Sequence, residues 1–467
     1  MNNRLVPLIL AVALFMENMD STVIATSLAA IAHDIGSDPI ALKLALTAYL
    51  VALAIFIPIS AWMADRWGAK NVFRVAIVIF ILGSVACAAS NSLFTFVLSR
   101  LLQGFGGALM TPVARLVIVR VTPRNQLVDA MAWLSIPGLV GPIVGPPVGG
   151  FITTFLSWHW IFLINVPIGL IGVALVTRFL PDWSRNEPRK MDFAGFVMTG
   201  IAFAGWTFGI SVVTLPALPP SYGWATMVVG CVAFAVYLWH WRRVEYPILD
   251  LRLFNFRLFR ITNIAGSFFR IGTGGMPFLF PLMLQLSFGL TPFESGSVTF
   301  ATAVGSFSAK FVSEQIIERL GFRMTFIVST AITAVGVLGM GFYTPGTPTL
   351  LMMAFLVITG FFQSVFWTSN NAFTFADIED KDAGQATAIS QVGVQLTVAL
   401  GVALAGGSLE LVRGVHGGDP QLIDFHVSFY VIAATTLLST VVFWFLPKKA
   451  GAHLTGHRHA AAEVAAE

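Results

Sequence analysis

Residues 138–169 read GLVGPIVGPPVGGFITTFLSWHWIFLINVPIG. The first part is an apolar segment of membrane length that carries Gly138, Gly141, Pro142, Gly145, Pro146, Pro147, Gly149 and Gly150. In water such a segment would not hold a helix, because each proline removes a donor and its ring clashes with the preceding turn. In lipid the freed carbonyls need partners, and these come from neighbouring helices. Small residues let those helices approach closely. The stretch therefore predicts a membrane helix packed tightly against its neighbours.

The rest of the chain has the same character. Mean hydropathy is +0.81, 56% of the residues are apolar and 11% are charged, whereas a soluble chain is about a quarter charged. Runs of roughly 20 apolar residues cross a bilayer as helices. Fourteen are expected, over about 5–31, 44–63, 73–90, 94–119, 131–155, 160–180, 193–213, 222–241, 261–285, 295–316, 324–342, 350–373, 385–410 and 425–446. A barrel would show alternation over shorter segments. The first run leads into Glu17 and Asp20 without a small-residue cleavage site, so it reads as a first helix and not a signal peptide. Cys87 and Cys231 lie inside expected helices and suggest packing, with no disulfide framework or metal site.

Net charge is +4, and its distribution argues against a nucleic-acid partner. If the helices alternate from a cytoplasmic N-terminus, one side collects Arg66, Lys70, Arg74, Arg120, Arg124, Arg185, Arg189, Lys190, Arg242, Arg243, Arg252, Arg257, Arg260, Arg319, Arg323, Lys448 and Lys449. The other side holds Lys43 and Arg413. This positive-inside asymmetry predicts that both termini are cytoplasmic.

An internal repeat organises the helices. Asp65-Arg66-Trp67-Gly68-Ala69-Lys70 follows the second run, and Glu318-Arg319-Leu320-Gly321-Phe322-Arg323 follows the tenth. Gly104 and Gly360 recur at a similar offset. Such symmetry is the trace of two parallel six-helix repeats. The expected organisation is a six-helix bundle over 1–183, a two-helix insertion with its linkers over 184–258, a second bundle over 259–447 and a flexible tail over 448–467. The connectors 181–192 and 242–260 are polar, basic and broken by proline. His453, His457 and His459 in the tail lack nearby ligands that would fix a metal geometry.

The 138–156 segment resembles the antiporter motif of major facilitator exporters. SWHWIFLINVPIG after it, MDSTVIATSLAAIA at 19–32, LFNFRLFR at 253–260 and the Gly/Pro-rich segment after Arg270 look like the fourteen-helix drug:proton antiporter branch, of multidrug-transporter type. The resemblance covers nearly the whole chain. It implies an all-α membrane protein with the major facilitator fold, two six-helix bundles plus two inserted helices. It also implies a proton-coupled antiporter of a bacterial cytoplasmic membrane, working by alternating access as a monomer, with protons, lipid and a small organic substrate as partners and with no cofactor and no enzymatic activity.

Depth in the bilayer selects the candidate residues. Glu17 and Asp20 sit three residues apart on one face of helix 1. A carboxylate at mid-bilayer costs about 2.5–3.5 kcal/mol on insertion scales and normally faces a cavity or the bundle interior. Burial disfavours its charged form, as a proton carrier requires; a structural hydrogen-bonding pair is the alternative. Asp20 matches the family's helix-1 position, whereas Glu17 departs from the pattern. Arg100, in SRLLQGFGGA, resembles the helix-4 motif implicated in proton coupling. It needs a partner, for which the helix-1 carboxylates are candidates, unless it snorkels to the surface. Asp65, Arg66, Gly68 and Lys70 resemble the superfamily's gating loop, although Ala61 and Ala69 depart from it. Gly141, Pro142, Gly145, Pro146, Gly149 and Gly150 form the antiporter motif.

Arg270 lies deep in the ninth run beside Gly272, Gly274, Gly275 and Pro277. A charge next to a helix distortion near the midplane points to a binding site, and an anionic substrate group is one partner it predicts. Arg115 can snorkel, and Lys310 has Glu314 one turn away. Trp133, Asn370, Asn371, Gln391 and Gln395 are further candidate substrate contacts. Export of an organic anion, such as a carboxylate or its metal complex, therefore stands as the alternative to broad drug export, and a membrane sensor without transport as a remote one. No HExxH, GxSxG or paired-Asp signature suggests an enzyme.

Overall fold

The computed structural model describes residues 5–122, 127–180, 190–213, 219–378 and 382–447, with the backbone alone at 127–129, 132 and 135–139. Arg124, Arg185, Arg189, Lys448, Lys449 and the histidine-bearing tail lie outside the described residues, as does most of the connector that begins at 181. The regular structure among the described residues is entirely helical. The first half holds α1 (Leu5–Val23), α2 (Leu28–Asp34), α3 (Lys43–Phe56), α4 (Ser60–Trp67), α5 (Ala69–Ala88), α6 (Leu93–Val121), α7 (Leu127–Phe155), α8 (His159–Leu163), α9 (Asn165–Phe179), α10 (Phe193–Val213) and α11 (Pro220–His240). The second half holds α12 (Arg257–Gly274), α13 (Met276–Leu286), α14 (Pro292–Ala309), α15 (Ser313–Met340), α16 (Thr349–Thr374), α17 (Ala383–His416) and α18 (Leu422–Trp444).

Each of the fourteen expected apolar runs falls on this helical structure. Eleven helical spans among the described residues are long and apolar enough to cross a membrane, so the count of fourteen is not reached on length and hydropathy alone. In α7 the apolar stretch Val140–Phe155 follows residues described by backbone alone. The other exceptions have local causes. The ninth run breaks at Gly275, between α12 and α13. Serine, threonine and Glu294 make α14 more polar. The first run also departs from a single helix, because a 3₁₀ turn at Ile24–Thr26 separates α1 from α2 just beyond Asp20.

The chain divides into two compact units, Met1–Leu249 with Leu284–Ser297, and Asp250–Met283 with Val298–Glu467. In the first, α1 packs on α7 and α9, α6 on α3 and α5, and the hairpin of α10 and α11 joins through α3. In the second, α12, α15, α16 and α18 enclose an aromatic core, and α17 packs on α12 and α18. Phe269 stacks on Phe366 at 3.7 Å and Phe326 on Phe443 at 4.4 Å between centroids, geometry that adds to the area the rings bury.

The two related loops share a backbone device. Gly68 separates α4 from α5 at φ 85°, and Gly321 breaks α15 at φ 70°, a region that disfavours any residue with a Cβ. Gly104 and Gly360 share a packing device. A Cβ at Gly104 would lie 2.7 Å from the Tyr49 carbonyl on α3, and one at Gly360 would lie 2.1 Å from the Thr302 carbonyl on α14.

Candidate functional site: a buried carboxylate network and a solitary arginine

Asp20 and Arg100 meet in the first unit, 0% and 1% exposed. Arg100 Nη1 donates to Asp20 Oδ2 at 2.7 Å. The other carboxylate oxygen accepts from Gln103 Nε2 at 2.7 Å and from Asn165 Nδ2 at 2.8 Å. Gln103 lies one turn beyond Arg100 on α6 and also donates to Ser84 Oγ at 2.8 Å. The approach of α5 to α6 depends on Gly83, where a Cβ would stand 2.6 Å from the Gln103 backbone. The Tyr49 ring covers the guanidinium, with Cζ 4.3 Å from the centroid, a cation–π contact favoured away from water.

An ionised carboxylate can accept all these bonds at once. A protonated one carries a donor of its own and loses acceptor capacity. Loading a proton onto Asp20 therefore adds a donor that none of the three groups donating to it can accept. Arg100 Nε and the Tyr49 hydroxyl are buried without a hydrogen-bond partner among the described residues. Such orphan groups are costly in a dry interior.

Glu17 takes a separate course. Its Oε2 accepts from Thr111 Oγ1 at 2.9 Å, and Arg115 is the cation whose field reaches it. The helix-1 carboxylates thus have different partners on α6, one Arg100 and the other Thr111. Ser84, Thr111, Tyr49 and Asn165 were not singled out in the sequence. Asn165 left the clearest signal, as an amide alone inside the apolar run IFLINVPIG.

The antiporter segment runs along the other side of α1. A Cβ at Gly141 would lie 2.9 Å from Met19 N, one at Gly145 2.1 Å from Thr22 Oγ1 and one at Gly149 2.4 Å from the Val23 carbonyl. Gly150 faces Pro292, where a Cβ would lie 2.3 Å from its carbonyl. Pro142 and Pro146 lie within α7, and the Pro146 carbonyl accepts from Thr26 Oγ1 at 3.5 Å. At the α4–α5 loop Asp65 pairs with Arg120 of α6, while Arg66 is exposed, Lys70 is half-buried and Gly68 supplies the turn.

Arg270 stands in the second unit on α12, 2% exposed. Nε donates to Thr397 Oγ1 at 3.0 Å, and Nη2 donates to the Asn263 carbonyl at 3.1 Å and to Ser267 Oγ at 3.3 Å. All three acceptors are neutral, and no carboxylate pairs with Arg270 among the described residues. Asn370 joins this group. A Cβ at Gly266 would lie 2.8 Å from Arg270 Nη1 and 3.1 Å from Asn370 Oδ1, and that oxygen is buried without a partner. Asn371 is exposed; Gln391, Gln395 and, in the first unit, Trp133 are half-buried. Among the described residues no group of three His, Cys, Asp or Glu is placed to hold a metal.

The chain matches the family model described as Major Facilitator Superfamily over residues 10–239 and 262–465. It is 35% identical over 447 residues to multidrug resistance protein MdtD of Cronobacter sakazakii, covering 94% of each chain. It is 33% identical over 448 residues to the protein of that name in Yersinia pestis, covering 95% of this chain and 96% of the relative. Among solved structures it resembles a D-xylose-proton symporter, with TM-score 0.68, 16% identity and coverage of 96% and 98%. It also resembles an autoinhibited peptide transporter of the POT family, with TM-score 0.66, 14% identity and coverage of 94% and 96%. Apolar spanning helices, loop glycines repeated in both halves and a family match along nearly the whole length lead to one assignment: the chain is a multi-pass inner-membrane transporter, not an enzyme, and it belongs to the major facilitator superfamily.

Proposed function

We propose that the protein is a proton-coupled antiporter that expels small, drug-like organic molecules across the cytoplasmic membrane by alternating access. The observation that carries this reading is Asp20, wholly buried and bonded by Arg100, Gln103 and Asn165. A buried carboxylate beside a cation can bind and release a proton as the pair separates and closes. Names borne by relatives that cover nearly all of the chain support drug-like substrates. Residues 1–183 and 259–447 form the two rocking bundles, 184–258 the two-helix insertion, and 448–467 a cytoplasmic tail. Fourteen helices put both termini in the cytoplasm, as the basic loops favour. Asp65, Arg66, Gly68 and Lys70 form the cytoplasmic gate, and the protein works as a monomer.

The test is transport by inverted vesicles under an imposed pH gradient. Asp20→Asn keeps the side-chain shape and inserts normally, yet proton-driven export falls to the level of empty vesicles. Wild-type rates from that variant would remove Asp20 from the coupling mechanism. One observation favours a second reading. Among the described residues Arg270 is buried with neutral partners alone, which suits an anionic substrate, with Asn370, Gln391, Gln395, Asn371 and Trp133 as further contacts.

A further inference from the structure

The outer face of the first unit carries a groove between α5 and α9, of about 490 Å³ and lined by Asn71, Arg74, Val75, Val78, Val173 and Thr177. Its two walls are held in register by small residues. Gly169 lies against Ile81, and Gly172 is one turn on, against Ile77. The next turn brings Thr177 level with Asn71 and Arg74. One end of the groove is apolar, with Val75 and Val78 exposed. The other end is basic. The Arg74 guanidinium bonds only the neutral amide of Asn71, and Arg178, which follows Thr177, is exposed without a bonded partner among the described residues. Asn71 Nδ2 also donates to the Trp67 carbonyl. Trp67 is exposed at this end, and exposed tryptophans gather at the level of lipid headgroups.

Arg74, which lines the groove, and Arg178, which follows the lining residue Thr177, have no carboxylate partners among the described residues and, with the valine walls, match the two parts of one molecule. We propose that this groove is a binding site for an anionic glycerophospholipid of the cytoplasmic leaflet. The phosphate lies against Arg74 and Arg178, and an acyl chain follows Val75, Val78 and Val173. Basic pockets between membrane helices on the cytoplasmic side take such headgroups, and the leaflet itself is negatively charged. The proposal rests on the cytoplasmic orientation of this end, which is part of the proposed function.

The experiment is native mass spectrometry of the full-length protein in detergent, titrated with equal amounts of phosphatidylglycerol and phosphatidylcholine of identical chains. The wild type retains the anionic lipid preferentially. Arg74→Gln and Arg178→Gln each lower its retention about fivefold, the worth of one basic side chain at a charged surface. Val173→Trp fills the groove and lowers both lipids, independently of any change in charge. Arg243→Gln, whose guanidinium instead stacks on Trp239, leaves the adducts unchanged. Equal retention of the two lipids by the wild type would overturn the proposal. So would an equal loss in Arg243→Gln, which would mean diffuse attraction, or displacement by glycerol 1-phosphate, which would mean a site for soluble anions. Adducts are counted without a gradient, so failed transport and a failed lipid site give separate results.

Discussion

Asp20 and Arg100 are each other's only opposite charge within bonding distance among the described residues, so removing one strands the other in a dry interior. Breaking a buried pair from one side costs about 3–5 kcal/mol, whereas replacing both partners is often close to neutral. Arg100→Ala is therefore expected to lower the melting temperature in detergent more than Asp20→Asn does. The double variant Asp20→Asn, Arg100→Gln should recover most of that loss without recovering transport. A double variant as unstable as Arg100→Ala would show that Arg100 stabilises through its contact with Tyr49 and not through its pairing with Asp20. Glu17 provides an internal control. Its bond runs to Thr111, so Glu17→Gln should leave that melting temperature nearly unchanged.

The seam between α1 and α7 is built from absences. Gly141, Gly145 and Gly149 each face α1 at a distance where a Cβ would collide with backbone or a short side chain. Interiors are packed near the density of organic crystals, and inserting bulk into such a contact costs about 1–3 kcal/mol or more. Gly149→Leu is expected to reach the membrane, because hydropathy rises, but to lose transport or leak protons. Normal transport rates from that variant in vesicles would mean that the tight seam has no part in coupling. The density of glycine and proline in 138–150 makes this close packing legible in the amino-acid sequence. The choice of partner is not legible there, since a small residue announces that something approaches and not which helix it is. The same limit explains the 3₁₀ turn at Ile24–Thr26, which lies within the first expected run and has no proline or glycine beside it to mark it.

Across the whole transporter, substrate charge decides how the membrane potential enters the cycle. Moving one elementary charge is worth about 2.3 kcal/mol per 100 mV. Exporting a monovalent cation against one proton is electroneutral, whereas exporting an anion against one proton carries net positive charge inward. Collapsing the potential with a potassium ionophore while keeping the pH gradient should therefore slow anion export and spare cation export. Unchanged anion transport at a measured one-proton stoichiometry would rule out that scheme. If Arg270 binds the anion, Arg270→Ala abolishes substrate binding and Arg270→Lys restores only part, because the two-pronged guanidinium geometry is lost. Hydropathy and the repeated loops make the helical architecture readable at this scale, because both follow from the bilayer. Asp20 and Arg100 are readable for a related reason, since a charge in an apolar run stands out. Thr397, Asn263 and Ser84 are not, because a hydroxyl or amide in a membrane helix most often bonds its own backbone one turn back. Thr397 and Asn263 do that as well as facing Arg270.

α1 carries Asp20 towards α6 and α9 while Met19, Thr22 and Val23 lie against the glycines of α7. The carboxylate and the glycine rail are thus mounted on the same short rod, less than two turns apart. A proton arriving at Asp20 can loosen the donors on one side of that rod, but the rod has no slack on the other. If Asp20 carries the proton as proposed, the rod would respond by sliding or turning along α7, and the rail would convert a change in bonding at a single side chain into displacement of a whole helix.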